Sequence, residues 1–241
     1  MRCAARRKAT LNREIFYKTV VALTRALRAI AIAQIMQGQI QMKSVVRNSV
    51  ATLAFALLCV TTADAQGQAE PPQLAKQLIN TRGGNSTLRV TSAFFTSGDA
   101  IPERFTQNGE NVSPPITWTK GPAGTMSYVV LAEDNGVNRP EPIVHWIVYD
   151  IPGTVTRLPL GVPAGDRLEN GAVQGKNIAG SQGYIGPKPP AGETHPYHFQ
   201  VFALSSKLNL DPATADRATI LAAMKGKVIT SGDLIGRYTG K

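Results

Sequence analysis

The sequence predicts a mainly β protein, an antiparallel β-sandwich of two sheets with one helix near its C-terminal end. Two observations lead to this fold class. Short runs rich in β-branched and aromatic residues are separated by clusters of Gly, Pro, Asn and Asp, and helical periodicity is scarce between them. The strands predicted in this way cover residues 88–95, 127–132, 143–149 and 197–204.

A helix is predicted towards the end of the chain. Asp211 is a residue type that caps helices, and Pro212 suits a first helical turn. An apolar stripe from Ile220 to Met224 follows, and Gly226 ends it. We expect this helix to pack on the side or the end of the sheets.

A hydrophobic run at residues 50–60 has the features of a secretory signal peptide. Basic residues precede the run and an Ala-Asp-Ala sequence follows it, which is the usual order of basic region, apolar core and cleavage site. The run is also short for a membrane span. We therefore expect a signal peptide at residues 42–65, cleaved after Ala65, and a periplasmic or secreted mature protein.

The other N-terminal residues divide into two predicted parts. Met42 stands where a signal peptide would begin, so residues 1–41 are interpreted as an over-extended N-terminus or an extra leader. The alternative is a real amphipathic extension, because residues 15–40 have fair helical composition. Residues 66–86 are rich in Gln, Pro and Gly, and they predict a flexible linker or loosely docked arm ahead of a domain at residues 87–241.

The charge and the cysteines both concentrate in the leader. Of the formal net charge of +10, residues 1–65 carry +8 and residues 66–241 carry +2. A nearly neutral domain cannot gain much from counterion release on a phosphate backbone, so a nucleic-acid partner is not expected. Cys3 and Cys59 both precede the domain, which leaves it without a disulfide, a thiolate nucleophile or a cysteine-based zinc site.

All three histidines lie in the domain. Side chains alternate between the two faces of a strand, so His195 and Tyr197 are predicted to share one face and His198 to point to the other. This argues against a metal pair of His195 and His198, and no metal or other cofactor is expected. His145 lies on a separate strand. Taken alone, a histidine is more often an ordinary packed or surface residue than a ligand.

A long Gly- and Pro-rich loop at residues 183–197 runs directly into the last predicted strand, with the pattern G-Y-x-G-P-x-P-P-x-G-x-x-H-x-Y. Glycine permits close approach of the backbone to a ligand, and exposed N–H groups of such a loop could bind an anion. A rigid surface turn explains the same composition equally well.

The sequence resembles the phosphatidylethanolamine-binding protein family, also called Raf-kinase-inhibitor-like proteins, in its bacterial branch. Four blocks carry the resemblance in chain order and together cover nearly all of residues 88–238. They are G-E-N-V-S-P-P-I-T-W at 109–118, E-D at 133–134 leading to V-H-W-I-V-Y-D-I-P at 144–152, residues 171–177 with the loop at 183–197, and residues 226–238.

The resemblance implies a two-sheet antiparallel β fold with a small pocket for phosphate-like or carboxylate anions. The positions that match the family's pocket are Asp134, His145, His195 and Tyr197, with Gly186 and Pro187 on its rim loop. Ionised Asp134 would repel an anion, so its expected role is to orient a histidine and to favour the imidazolium. Anion binding should then strengthen as the pH falls through the histidine range.

The resemblance implies a non-catalytic, kinase-inhibitor-like or regulatory binding protein for a small anionic ligand. A hydrolase or lyase using His145, His195 and Asp134 as acid–base groups is one alternative. Inhibition of a protein partner is another, although an exported domain would rarely meet a cytosolic kinase. The resemblance also makes a homodimer an expectation.

Overall fold

The computed structural model describes residues 70–82 and 87–241. The predicted N-terminal extension, the signal peptide and the beginning of the linker lie outside these residues. No helix in the described part of the chain is long and apolar enough to cross a membrane.

Short helical segments and eight strands make up the regular structure of the described residues. In chain order the elements are helix α1 (Ala75–Leu78), β1 (Val90–Thr91), a 3₁₀ turn (Glu103–Phe105), β2 (Ile116–Trp118), β3 (Ser127–Asp134), β4 (Ile143–Pro152), β5 (Arg157–Leu158), β6 (Val173–Gln174), β7 (Thr194–Leu204), helix α2 (Arg217–Met224) and β8 (Val228–Thr239).

The strands form two antiparallel sheets. One has five strands in the order β6-β4-β3-β7-β8, and the other has three in the order β1-β2-β5. One face of the large sheet packs with the small sheet around Trp146 and Phe199, and its other face forms a second core with α2 around Ile147 and Phe202. Both faces of β3 are therefore covered, and the strand is buried along its whole length. The predicted mainly β, two-sheet fold with a C-terminal helix is confirmed.

The longest strand of the structure, β8, was not among the predicted strands. Its glycines lower the β-propensity that a sequence pattern relies on. In the fold they are required by close packing, since a Cβ at Gly232 would lie 2.0 Å from the Leu88 carbonyl oxygen, and one at Gly236 would lie 2.4 Å from an Ile101 side-chain carbon. Residues 88–101 therefore run close to the outer edge of β8.

Helix α2 begins later than predicted. Its N-cap is Asp216, whose side chain accepts a hydrogen bond from the Thr219 N–H at 2.8 Å. Asp211 instead closes a separate turn, accepting from the Ala213 N–H at 2.9 Å. Both aspartates suit a cap by residue type, and the position of the packed apolar stripe decides between them.

Part of the segment predicted as a flexible linker is docked on the domain. Leu74 and Ala75 are buried in the structure. The Ala75 N–H donates to Glu133 Oε2 at 2.8 Å, and Arg217 Nη2 donates to the Gln73 carbonyl oxygen at 2.7 Å. The backbone polar groups that fix this segment have partners distant in sequence, which is why local composition did not reveal them.

Candidate functional site

A cavity of about 380 Å³ opens where β3, β4 and β7 come together. Four of the predicted site residues line it: Asp134, His145, His195 and Tyr197. The strand register produces this convergence, because Asp134 at the end of β3 lies opposite Tyr197 in β7. The other neighbour of β3 is β4, which supplies His145.

His195 is paired with Asp134 inside the protein. His195 Nδ1 lies 2.8 Å from Asp134 Oδ2, and the two side chains are 7% and 3% exposed. The other carboxylate oxygen of Asp134 accepts from the Gly136 N–H at 2.8 Å, which fixes its orientation. Burial opposes charge on the imidazole, but the hydrogen bonds and charges of Asp134 and Glu193 outweigh it and raise the pKa of His195. The arrangement therefore favours an imidazolium in the cavity wall.

His145 has the opposite electrostatic character. Its Nδ1 lies 2.7 Å from the Ile185 carbonyl oxygen, which assigns the proton to that nitrogen. Burial lowers the pKa of His145 below its ordinary value of 6.5, so the ring stays neutral near neutral pH. Its Nε2 is buried and has no hydrogen-bond partner among the described residues. A buried polar atom without a partner indicates a position where a ligand or water completes the site.

The Tyr197 hydroxyl is a second buried polar group that makes no hydrogen bond of good geometry within the described ranges, although the Asp134 carboxylate and the Lys188 backbone lie beside it. Its ring packs edge-to-face on His145, with ring centroids 5.1 Å apart. Burial, assisted by the negative charge of Asp134, raises the pKa of Tyr197 well above its usual range. The phenol therefore keeps its proton and can donate a hydrogen bond.

Gly186 and Pro187, expected on the rim, are buried and are not part of the cavity lining. The Gly186 N–H donates to Asn111 Oδ1 at 2.7 Å, and its carbonyl oxygen accepts from Gln107 Nε2 at 2.7 Å. A Cβ at Gly186 would lie 2.4 Å from the Phe105 carbonyl oxygen, so the close approach requires glycine. The carbonyl oxygens of these two residues accept hydrogen bonds from Gln107, which lines the cavity, and so hold it in place.

Four N–H groups of the loop are already bonded within the protein and are not available to an anion. Those of Ile185, Gly192 and Glu193 donate to the carbonyl oxygens of His145, Gly240 and Pro190. Together with the Gly186 N–H, they stabilise the loop itself. These hydrogen bonds fix the course of the loop as it enters β7.

Sequence reasoning missed five polar residues of the lining. They are Gln107, Asn138, Arg139, Lys188 and Glu193. Lys188 and Glu193 stand at variable positions of the loop motif, and Asn138 and Arg139 lie between the two parts of the second sequence block, so nearness to these motifs was the available signal. With His195 protonated and His145 neutral, the ionisable groups of the lining sum to one positive charge.

His198 lies away from the cavity, as alternation along the strand predicted. Its Nδ1 lies 2.9 Å from Asp233 Oδ2, which also pairs with Lys76. No group of three or more His, Cys, Asp or Glu side chains is placed to hold a metal ion within residues 70–82 and 87–241.

The fold and the site define a class of protein, a two-sheet antiparallel β protein with a preformed, histidine-lined cavity at its strand ends. Residues 91–239 match the family model described as phosphatidylethanolamine-binding protein. The chain belongs to this family, and the resemblance carried by the four sequence blocks is confirmed.

Relatives and solved structures agree with this assignment. A UPF0098 protein of Methanothermobacter thermautotrophicus is 40% identical over 149 residues, which cover 61% of this chain and 95% of the relative. A UPF0098 protein of Aquifex aeolicus is 38% identical, over 64% of this chain and 90% of its own. The crystal structure of E. coli YbcL, described as a new member of the mammalian PEBP family, matches with a TM-score of 0.60 at 31% identity, over 65% of this chain and 100% of YbcL.

A second solved structure is that of CT736 from Chlamydia trachomatis, described as a putative homologue of the same family. It matches with a TM-score of 0.58 at 31% identity, over 64% of this chain and 99% of CT736. Both structural matches therefore extend over a single complete domain of this family.

Proposed function

We propose that the cavity binds a small anionic ligand of the phosphate type. The observation that carries the proposal is the convergence of a carboxylate-supported imidazolium, His195, with two buried polar groups that make no hydrogen bond of good geometry in the described residues, the Tyr197 hydroxyl and His145 Nε2. Phosphoryl oxygens accept hydrogen bonds from phenol O–H and imidazolium N–H donors, and charged pairs of this kind are the stronger ones. His145 Nε2 can accept from a protonated ligand oxygen.

The charge and the size of the cavity support the same ligand class. Arg139 and Lys188 add two positive charges to the lining. A volume of about 380 Å³ is at the small end of ligand pockets, which suits a headgroup-sized molecule. The description of the family, phosphatidylethanolamine-binding, names a phosphate ester, and the chemistry that would recognise it is the same.

Catalysis by acid–base groups is the second candidate, favoured by the His195–Asp134 pair. Ser, Thr and Cys are missing from the described lining of the cavity. Its hydroxyl is that of Tyr197, whose raised pKa makes it a poor nucleophile. The described lining thus offers no serine, threonine or cysteine nucleophile for a covalent mechanism, whereas an acid–base mechanism would use water. Release of phosphate from a phosphomonoester, lost in His195→Ala, would therefore place catalysis ahead of binding.

The pH dependence of sulfate binding tests the proposal, because sulfate remains a dianion across the histidine range. The pKa of His195 is raised above 6.5, so its contribution is complete at lower pH and is lost as the pH rises through that raised value. The pKa of His145 is lowered, so any further gain from its protonation comes below 6.5. We expect the affinity, measured by calorimetry or NMR titration, to fall between about pH 6 and pH 8.

The same titrations are repeated with inorganic phosphate and with O-phosphoethanolamine as the ligand. Tighter binding of O-phosphoethanolamine would assign the cavity to a headgroup, and equal affinities would assign it to the phosphate group alone. Sulfate binding that is flat between pH 5 and pH 8, or no binding of any of the three anions, would contradict the proposal.

We also propose that the protein is exported with the signal peptide cleaved after Ala65. The support is the order of basic, apolar and small residues at residues 42–65. The protein recovered from the extracytoplasmic fraction should begin at Gln66, as measured by N-terminal sequencing or intact mass. Bulky substitutions at both Ala63 and Ala65 should block this processing, whereas a native terminus far from Gln66 would refute it.

A further inference from the structure

The two ring nitrogens of His195 contact carboxylates that are held very differently. Nδ1 pairs with Asp134, whose side chain is 3% exposed and whose second oxygen is fixed by the Gly136 N–H. Nε2 lies 3.2 Å from Glu193 Oε2, on a side chain that is 61% exposed. Within the described part of the chain, this is the one polar contact of the Glu193 carboxylate. Asp134 is thus a fixed partner of the imidazole, and Glu193 is a removable one.

The backbone of Glu193 is anchored independently of its side chain. Its N–H donates to the Pro190 carbonyl oxygen at 3.0 Å, and its carbonyl oxygen accepts from the Gly240 N–H at 2.9 Å. Residue 191 also forms a bridge with Gly240. The Glu193 side chain can therefore rotate into solvent without moving the backbone that leads into His195.

We propose that Glu193 is an internal competitor of the anionic ligand, whose carboxylate occupies His195 Nε2 until a ligand oxyanion takes its place. The inference rests on the proposed function, since it concerns the same cavity. A carboxylate oxygen and a sulfate or phosphoryl oxygen accept the same N–H hydrogen bond, so the two compete for one donor. Glu193 lines the cavity, and its negative charge also repels an incoming anion.

The expected effect of this competition is moderate. A carboxylate as exposed as that of Glu193 forms a weak pair because water and salt screen it. Such a pair, lost on ligand binding, reduces the affinity for an anion by about 1.5- to fivefold. Anions that bind His195 Nε2 more weakly than the Glu193 carboxylate would then not displace it.

The test is sulfate titration of the wild-type protein, Glu193→Gln and a control, Glu169→Gln, at about pH 5, below the ordinary histidine pKa, where the loss of Glu193 changes the protonation of His195 least. Glutamine keeps the shape of the side chain and removes its charge, and Glu169 is an exposed glutamate that lies outside the cavity lining. The Kd of Glu193→Gln should be about 1.5- to fivefold lower than that of the wild type, and the Kd of Glu169→Gln should be unchanged. An unchanged or higher Kd in Glu193→Gln would overturn the proposal.

The titration of His195 in the ligand-free protein is a second, independent readout. The ionisable groups that share the cavity with His195 are Asp134, Arg139, His145, Lys188, Glu193 and Tyr197. Since the Glu193 carboxylate helps to raise the pKa of His195, its removal should move the NMR titration of the ring to lower pH. An unmoved titration would mean that Glu193 does not occupy Nε2 in solution, and it would overturn the inference.

The His195→Ala variant separates the failure of this inference from that of the proposed function. Sulfate affinity lost in His195→Ala but unaffected in Glu193→Gln would overturn the role of Glu193 and leave the binding function standing. Sulfate affinity unaffected in both variants would overturn the two together.

Discussion

Replacing Glu133 with alanine is expected to lower the free energy of unfolding by about 3–5 kcal/mol. Glu133 is fully buried, and its Oε1 lies 2.6 Å from Arg217 Nε. Its Oε2 accepts from the Ala75 N–H and from Gln200 Nε2. Removing the carboxylate therefore leaves a buried guanidinium without its counter-charge and two donors without an acceptor, which is the costly way to break an ion pair.

Urea denaturation gives the change in the free energy of unfolding, and amide hydrogen exchange reports where the structure loosens. Exchange at Ala75 should accelerate, because its N–H loses the acceptor that docks α1 on the domain. Glu110→Ala is the matched control, since the Glu110–Arg104 pair is exposed and should contribute less than about 1 kcal/mol. Equal losses in the two variants would contradict this account of Glu133.

The second large effect is expected on binding. Replacing His195 with alanine should weaken sulfate binding by roughly 10- to 100-fold at pH 6, the range for a hydrogen bond to a charged group. The variant removes both the imidazolium and the donor facing the cavity. It also leaves the buried Asp134 carboxylate without its partner, so the folding of the variant must be checked by denaturation.

Two further variants separate binding from folding. His195→Asn keeps an N–H donor at the position of Nδ1 for Asp134 but lacks the positive charge and the donor at Nε2, so it should stay folded and still lose most of the affinity. His198→Asn, on the same strand but paired with Asp233 outside the cavity, should bind sulfate as the wild type does. Wild-type affinity in His195→Asn, or an equal loss in His198→Asn, would be incompatible with the proposed site.

Much of the fold could be read from local patterns. The runs that became β3, β4 and β7 are apolar, β-branched and bounded by turn residues, and the structure has strands there. The two-residue strand β1 is far shorter than its predicted run because the chain turns away after pairing with β2. Strand β8 was not predicted because it contains glycines, which are needed for close contacts with residues distant in sequence.

The candidate site was predictable to a smaller extent. Alternation along one strand placed His195 and Tyr197 together and set His198 apart, and the structure agrees. Asp134 and His145 entered through the family resemblance, because no local rule says which strands become neighbours. Glu193 is two residues before His195, where alternation would give the same face, yet its pairing with Nε2 depends on the course of the loop.

The amino-acid sequence is sufficient to establish the mainly β class, the concentration of positive charge in residues 1–65 and the family. These properties depend on composition, short-range periodicity and ordered motifs, all of which are local. The docking of part of the predicted linker and the burial of Gly186 depend on contacts between residues distant in sequence, which no local pattern contains. The opposite pKa shifts of the two cavity histidines depend on the fold as well, because burial lowers the pKa of His145, whereas Asp134 and Glu193 outweigh burial and raise the pKa of His195.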